Sequence, residues 1–303
     1  MTDDAVPAID SSKPEGAARN GNSATRGKVV FFGVRRRPRR AAHLFALASL
    51  LAGCDKAPAP RPAPAPPTGA AAAALTVLET TDAAGLRIRS GALPASAAGR
   101  LWGFTDVELD PSRARLEIVL AKDGAALSAL LPAGGLAVVN GGYFEADFRP
   151  STWVKNAGVE LSAKSDTSKG GVLAVGRAGV FVGPFSALSF EPDLAVQSFP
   201  LVIEPERKMG IRRDDGRRAA RTIACLVESR LHFIVISAPR GEGPTLFESA
   251  GLLLAAAPAG FGCRVALNLD GGPSTGVWFG PQIGAPSRPP LAPVGYAIAV
   301  LPR

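Results

Sequence analysis

Apolar and polar residues alternate in many short stretches between residues 75 and 301. Alternation with a period of two is typical of β-strands that bury one face. It predicts single strands at 75–81, 86–89, 136–139, 153–161, 198–204, 265–269 and 294–301. It also predicts paired strands at 101–109 with 113–121, at 171–184 as a hairpin about residues 177–179, and at 221–228 with 231–237.

Two segments have a helical pattern. Residues 124–131 predict a short helix that Pro132 ends. Residues 245–257 predict an amphipathic helix with Thr245 as its N-cap and Glu248 at the capping-box spacing. Many strands, few helices and no regular strand–helix alternation indicate an α+β fold, with a large mixed β-sheet and a few packed helices in a single domain.

The basic character of the chain is concentrated near its start. The net charge is +8, and residues 1–40 hold 9 Lys or Arg against 4 Asp or Glu. The later residues are almost balanced, so the charge does not indicate a nucleic-acid partner.

Residues 35–54 have the pattern of an export signal. RRRPRR precedes the apolar run AAHLFALASLLAG, and the run ends at Cys54. LAGC resembles the bacterial lipobox, which implies a lipoprotein signal in 1–53 and lipid on Cys54. The alternative is a buried apolar helix with a chance cysteine.

A proline- and alanine-rich linker follows at 54–74, and the folded domain is predicted at 75–303. We therefore expect a lipid-anchored protein of the bacterial cell envelope, on the periplasmic or extracellular face. The later cysteines, Cys225 and Cys263, are predicted either to form a disulfide or to be buried free thiols. The sequence does not indicate an oligomeric state.

The stretch VALNLDGGPS at 265–274 ends a strand in an acid and two glycines. Gly271 and Gly272 leave room for a ligand beside Asp270, and Asn268 lies two residues earlier on the same strand face. The alternative is a hairpin corner in which Asp270 only caps its own turn. A second strand ends in the same way at Asn140, Gly141 and Gly142, which suggests that the two strand ends form one pocket.

Several kinds of chemistry are excluded by residue counts and motifs. From Cys54 onward His232 is the one histidine, it lies in the middle of a predicted strand, and the chain has no phosphate-binding or dinucleotide-binding loop. The remaining polar residues near strand ends suit a sugar linked to a phosphate. They are Asn140, Glu145, Asp147, Arg149, Arg221, Asn268, Asp270 and Ser274.

Four motifs in order resemble the phosphodiester glycosidase family: VVNGGYF at 138–144, PLVIE at 200–204, ARTIAC at 220–225 and ALNLDGGPST at 266–275. The similarity covers about residues 100–303 and extends to family members associated with bacterial exopolysaccharides. It implies a hydrolase that cleaves the glycosidic bond of a sugar-1-phosphodiester in cell-envelope or extracellular glycans.

The resemblance also implies roles for single residues. Arg221 would bind the phosphate, Asp270 would be a base or a nucleophile, and Asn140 and Asn268 would hold sugar hydroxyls. Gly141, Gly142, Gly271, Gly272 and Ser274 would line the substrate site, and Glu145 or Asp147 would be a rim residue or a second carboxylate. Pro273 stands where many family members have glycine, which removes an N–H donor from the turn.

Two other interpretations stay open. One is a non-catalytic envelope lipoprotein that binds a phosphate-bearing glycan. The other makes Asn140, Asn268 and Asp270 ligands of a divalent cation such as Ca²⁺, because each offers an oxygen. Otherwise no cofactor is indicated.

Overall fold

The computed structural model describes residues 74–94, 100–166, 168 and 170–303, and within them the chain forms 17 strands, one α-helix and short 3₁₀ turns. These residues belong to one compact unit. The predicted signal at 1–53, Cys54 and nearly all of the predicted linker lie outside the described residues. No helix within the described part combines the length and the apolar character needed to span a bilayer.

The largest sheet has eight strands and is antiparallel at every pairing. Its strands are β1 (Thr76–Ala83), β2 (Leu86–Ala92), β3 (Gly103–Leu109), β11 (Leu201–Glu204), β12 (Lys208–Met209), β13 (Arg221–Val227), β14 (Arg230–Ser237) and β15 (Val265–Asn268). Their order is β1-β2-β3-β14-β13-β15-β11-β12. Strands far apart in sequence therefore lie side by side at the centre of this sheet.

Two smaller antiparallel sheets complete the strand structure. A five-stranded sheet contains β6 (Val154–Asn156), β7 (Val159–Ser162), β8 (Gly171–Gly176), β9 (Gly179–Gly183) and β10 (Leu194–Ser198), in the order β7-β6-β10-β8-β9. A four-stranded sheet contains β4 (Ala114–Ala125), β5 (Ala137–Asn140), β16 (Val277–Phe279) and β17 (Val294–Pro302), in the order β16-β5-β17-β4.

The predicted fold is confirmed only in part: the described residues form one compact, strand-rich unit, but with three antiparallel sheets in place of one large mixed sheet and one α-helix in place of a few. Periodicity reveals that a strand buries one face, but it does not reveal which strand lies beside it. The predicted pairing of 101–109 with 113–121 fails for this reason. β3 pairs with β2 and β14, whereas β4 pairs with β17 in another sheet.

The predicted hairpins at 171–184 and 221–237 are confirmed as β8–β9 and β13–β14. Two predicted single strands are interrupted instead. The stretch 153–161 turns at 157–158 between β6 and β7, and the stretch 198–204 breaks at Phe199 and Pro200 between β10 and β11.

The one α-helix in the described chain, α1 (Leu246–Leu254), confirms the predicted N-terminus. The Thr245 side chain accepts a hydrogen bond from the Glu248 backbone N–H, and the Glu248 carboxylate accepts one from the Thr245 N–H. The helix ends earlier than predicted. The predicted helix at 124–131 is instead the end of β4 followed by a 3₁₀ turn, Leu127–Leu130.

The core lies between the sheets. Buried apolar side chains on one face of the eight-stranded sheet pack against those of the other two sheets, for example Phe233 against the cluster that contains Val139 and Leu173. The opposite face is covered by α1, through Ala250 and Leu253. Burial of these apolar surfaces provides the main driving force for this arrangement.

The register of the β13–β14 hairpin shows which residues lie at each end of the largest sheet. Arg221 pairs with Ile236 at one end of the β13–β14 hairpin, and Leu226 pairs with Leu231 at the other end. A cavity of about 510 Å³ lies at the Leu231 end, lined mainly by Leu109, Leu116, Val175, Val180, Leu194 and Leu231. The strand ends that carry the predicted site residues lie at the Arg221 end.

Cys225 and Cys263 form a disulfide, so of the two alternatives for this pair the disulfide is the one in the structure. It links β13 to the segment that leads into β15.

His232 belongs to a buried ionic cluster rather than to a catalytic set. Its Nδ1 lies 2.9 Å from the Asp106 carboxylate, which also accepts hydrogen bonds from the Arg89 guanidinium. Burial raises the pKa of Asp106, but His232 and Arg89 outweigh it, so the pKa lies below its ordinary value. The ionised carboxylate therefore contributes to stability.

We predict that Asp106→Asn lowers the free energy of unfolding by about 3 kcal/mol at neutral pH, because it leaves buried donors without their charged partner. In the parent this contribution is present above about pH 4, the pKa of an unfolded aspartate, and is lost as the pH falls through the depressed pKa of Asp106. Denaturant unfolding measured across pH tests both effects.

The matched control is Asp82→Asn, which removes an exposed carboxylate paired with Arg87. It should change the unfolding midpoint little at any pH. Equal effects of the two substitutions would contradict a stabilising role for the buried cluster.

Candidate active site

The ends of β5 and β15 meet at one point, as the repeated strand-end motif predicted. The Asp270 N–H donates to the Gly141 carbonyl at 3.1 Å, and the Asn140 side chain donates to the Asp270 carbonyl at 2.8 Å. Because these strands belong to different sheets, the contact joins two sheets directly beneath the Asp270 carboxylate.

Asn140 is 1% exposed, and its side chain is fully engaged by the protein. Its Oδ1 accepts hydrogen bonds from the Thr222 hydroxyl at 2.6 Å and the Gly276 N–H at 3.1 Å. Its Nδ2 donates to the carbonyls of Asp270 and Gly141. With all four positions used, a hydroxyl contact from Asn140 would require breaking one of these bonds, so the geometry favours a role in positioning.

The glycine pair after Asn140 is explained by Tyr296, which the sequence analysis did not single out. A Cβ on Gly141 would lie 2.2 Å from a ring carbon of Tyr296, and a Cβ on Gly142 would lie 2.6 Å from its hydroxyl oxygen. That hydroxyl accepts a hydrogen bond from the Gly142 N–H at 2.7 Å. Tyr296 is fully buried in β17, and its position within an apolar run concealed this contact.

The Asp270 carboxylate is largely buried, and burial raises its pKa. The Ser274 hydroxyl and the Gly271 N–H donate to the carboxylate and lower the pKa, but by less. Gly272 has a positive φ of 62°, and its N–H donates to the Ala220 carbonyl. The turn is thus held against the start of β13.

Pro273 lies in the 3₁₀ turn Gly272–Ser274, at a position where a helical turn leaves its N–H groups unpaired. The proline is compatible with this turn for that reason, and its carbonyl accepts hydrogen bonds from Leu291 and Ala292.

Arg221 brings a positive charge to the same end of the fold. It is 9% exposed, and its guanidinium donates to the backbone carbonyls of Arg217 at 3.0 Å and Pro244 at 3.4 Å. Within the described residues it forms no salt bridge, and burial lowers its pKa. One of its terminal nitrogens lies 3.7 Å from the place a Cβ on Gly271 would occupy. A buried guanidinium without a bound carboxylate is suited to an anionic ligand.

Asn268 and Tyr143 complete the group. The Asn268 Nδ2 donates to the Tyr143 hydroxyl at 2.9 Å, and this hydroxyl donates to the Phe199 carbonyl at 3.1 Å. Asn268 is fully buried, and its Oδ1 has no hydrogen-bond partner among the described residues. Burial and the charge of Asp270 raise the pKa of Tyr143, and the charge of Arg221 lowers it. Tyr143 was missed in the sequence, although an aromatic residue directly after NGG was a visible signal.

Glu145 and Asp147, the predicted alternatives for a second carboxylate, lie on an exposed loop. They line a groove with Lys122 and Leu161, and the residues that line it do not include Asp270. The Arg149 side chain pairs with Asp147 at 2.6 Å and lowers the pKa of that carboxyl. Neither carboxylate is among the groups that shift the pKa of Asp270 in the described structure, so no direct interaction joins them to it.

The segment 207–218 contains six Lys or Arg residues, and this charged loop is anchored at its end. The Arg218 guanidinium forms two hydrogen bonds with the Glu248 carboxylate, at 2.6 and 2.8 Å. This anchoring places the Arg217 carbonyl where Arg221 donates to it.

Metal ligands are sparse at this site. No group of three or more His, Cys, Asp or Glu side chains that could hold a metal ion occurs within the described residues. Of the three predicted calcium ligands, Asp270 and Asn268 have oxygen atoms available for one, whereas the Asn140 oxygen already accepts two hydrogen bonds.

The family model described as phosphodiester glycosidase matches residues 133–301, which is more than half of the chain. This range contains every residue of the site described above. The comparison with curated protein sequences gave no match.

Three solved structures share the fold at low sequence identity. A hypothetical protein from Synechocystis is 15% identical, with a TM-score of 0.54 over 72% of this chain and 62% of that one. The catalytic domain of zebrafish N-acetylglucosamine-1-phosphodiester alpha-N-acetylglucosaminidase, auto-inhibited by its pro-peptide, is 14% identical, with a TM-score of 0.57 over 75% of this chain and 89% of that one. A protein from Burkholderia pseudomallei is 14% identical, with a TM-score of 0.52 and coverages of 69% and 76%. The chain thus spans less than two thirds of the Synechocystis protein.

We predict that Gly141→Ala lowers the free energy of unfolding by about 2 kcal/mol or more, because the new methyl group would overlap the buried Tyr296 ring. Thermal or denaturant unfolding measures this change. Gly251→Ala is the matched control, since Gly251 lies exposed in α1 with nothing within 4 Å of an added Cβ. The control should stabilise the protein by about 0.5–1 kcal/mol. A neutral Gly141→Ala would contradict the packing explanation of the NGG motif.

Proposed function

Because the chain belongs to the phosphodiester glycosidase family, we propose that it is a hydrolase that cleaves the glycosidic bond of a sugar-1-phosphodiester. The observation that carries the proposal is the arrangement of Arg221 and Asp270. A buried guanidinium without a carboxylate partner and a largely buried carboxylate lie at the same end of the fold, on either side of Gly271. The phosphate of a sugar-1-phosphodiester would lie at the Arg221 cation. The anomeric carbon, which becomes electron-poor as its bond to the phosphate breaks, would lie at the Asp270 carboxylate.

The leaving group explains why one carboxylate can suffice. The bond between the anomeric carbon and the phosphate oxygen breaks, and the phosphate ester departs as an anion without needing a strong general acid. Arg221 would bind the phosphate oxygens and stabilise the charge that develops there. This account is consistent with the placement of Glu145 and Asp147 in a separate groove, and we assign them no step.

Asp270 would act on the anomeric carbon, either as a nucleophile or as the base that takes a proton from the attacking water. Both roles require the ionised carboxylate. Activity should therefore fall as the pH drops through the raised pKa of Asp270, which places the acidic limb above the ordinary aspartate value of about 4.

The neighbouring groups would hold the sugar and the turn. Asn268, assigned to the sugar from the sequence, is fully buried and would act through Tyr143 and the Phe199 carbonyl, to which its Nδ2 donates. Asn140 would act through Asp270, since it holds the backbone of that residue. Gly141 and Gly142 would line the site from below, where they make room for Tyr296, and Gly271 and Gly272 would keep the turn beside Asp270 free of side chains. Ser274 would orient the carboxylate.

The natural substrate would be a phosphate-bearing glycan of the cell envelope or the extracellular matrix. This part of the proposal is supported by the predicted export signal and by the resemblance of LAGC at 51–54 to a lipobox. A lipid on Cys54 would anchor the protein to a membrane, and the Pro/Ala linker would hold the domain away from the bilayer surface.

The test is hydrolysis of a panel of sugar-1-phosphodiesters by the full chain. Asp270→Asn and Arg221→Ala should each reduce kcat/KM by about a hundredfold or more, equivalent to about 2.7 kcal/mol of transition-state stabilisation. The matched controls, Asp214→Asn and Arg212→Ala, change exposed residues of the charged loop and should leave activity close to that of the parent.

Other outcomes would favour the alternatives. A folded parent that binds a phosphoglycan but releases no sugar would support a non-catalytic binding protein. Loss of turnover with a chelator and rescue by Ca²⁺ would support a calcium site formed by Asp270 and Asn268.

The lipid anchor gives a separate prediction. Cys54→Ser should move the protein from the membrane fraction to the aqueous fraction in cells, because the acyl chains that hold it would be absent. Detergent phase partitioning of parent and variant measures this. Unchanged partitioning would contradict lipidation at Cys54.

A further inference from the structure

An aromatic pair lies exposed beside the site. Phe199 is 45% exposed, and its ring stacks on that of Tyr143, with ring centroids 4.5 Å apart and 24° between the planes. The pair does not belong to any of the buried apolar clusters of the described chain. An aromatic surface of this kind, next to polar groups, is typical of a ligand site.

The pair is fixed to the strand that ends in Asp270. The Phe199 carbonyl accepts hydrogen bonds from the Tyr143 hydroxyl and from the Asn268 Nδ2, each at 3.1 Å. The Asn268 N–H donates to the carbonyl of Pro200 at 3.0 Å. These bonds hold the segment between β10 and β11 against the end of β15, two residues before Asp270. The backbone of Phe199 is thus anchored in a wall of the site, and its ring is exposed there.

Polar groups without partners lie next to this wall. The Oδ1 of Asn268 and the Oγ of Ser198 are both buried and unpaired in the described structure. Ser198 immediately precedes Phe199, and Asn268 contacts its carbonyl. These two atoms are too deeply buried to meet a ligand directly, but the exposed aromatic face itself matches a pyranose, which has an apolar C–H face.

We propose that Tyr143 and Phe199 form a stacking platform for the sugar ring of the substrate, a pyranose whose substituents leave one C–H face free. The inference rests on the proposed function and adds the position of the sugar. Phe199 would contact the sugar face, and the phosphate would extend towards Arg221.

Binding of fragments of the substrate tests the platform without requiring catalysis. The probes are glucose 1-phosphate and N-acetylglucosamine 1-phosphate, with inorganic phosphate and glycerol phosphate as probes that lack a ring. In Phe199→Ala the Kd for both sugar phosphates should rise about tenfold, a loss of about 1.4 kcal/mol. The Kd for inorganic phosphate should change less than about twofold.

Three further variants make the result specific to the ring. Phe199→Tyr keeps an aromatic face and should bind the sugar phosphates like the parent. Phe199→Leu keeps apolar volume without a ring and should bind like Phe199→Ala. Val159→Ala removes an exposed apolar side chain from β7 and should change nothing. Saturation-transfer NMR on the parent should show the strongest transfer to the sugar C–H protons.

The results that would contradict the stacking platform differ from those that would contradict the proposed function. If the parent hydrolyses sugar phosphodiesters in an Asp270-dependent manner while Phe199→Ala binds the sugar phosphates as tightly as the parent, the platform is wrong and the function stands. If all probes bind the parent equally, with or without a ring, the platform is also wrong. A parent that neither binds sugar phosphates at millimolar concentration nor hydrolyses the diesters would overturn both proposals.

Discussion

The hydrogen bonds of one buried side chain, Asn140, hold the active end of this protein together. Its amide joins the end of β5 to the Asp270 backbone, to the Thr222 hydroxyl on β13 and to the Gly276 N–H before β16. Each partner belongs to a different segment of the chain. A buried amide with four satisfied positions is rigid, because moving it would leave several polar groups unpaired at once. This network fixes the Asp270 backbone and thereby positions its carboxylate.

The site contains two side chains, Arg221 and Asp270, in which burial disfavours the charged form. Desolvation lowers the pKa of Arg221 and raises that of Asp270, and within the described residues no salt bridge compensates either group. Backbone carbonyls and a serine hydroxyl offer only partial compensation. A ligand that is anionic on one side and electron-poor on the other would relieve both penalties. This is a physical reason why the arrangement suits a phosphate attached to an anomeric carbon, independent of family membership.

The sequence predicts local features well and long-range ones poorly. The strand positions, the β13–β14 hairpin and the Thr245 cap follow from neighbouring residues, because periodicity and capping are local effects. The adjacency of Asn140 and Asp270 was predicted from the repetition of one strand-end motif. The pairing of β3 with β14 and of β4 with β17 was not, since it depends on how distant segments dock. Tyr296 was overlooked because a tyrosine within an apolar strand resembles any other core residue, and Phe199 because its exposure is a property of the folded chain alone.

The position of β17 also affects how the protein matures. This late segment is not an edge strand but lies between β5 and β4, and it carries the tyrosine that packs against Gly141 and Gly142. During synthesis the floor of the site therefore has no support until residues 294–302 have emerged, although Asp270 and Arg221 already exist in the chain. A polypeptide that lacks residues 294–302 would keep Asp270 and Arg221 but would lose the support beneath Gly141 and Gly142. Assembly of the site would therefore follow the docking of β17 between β5 and β4.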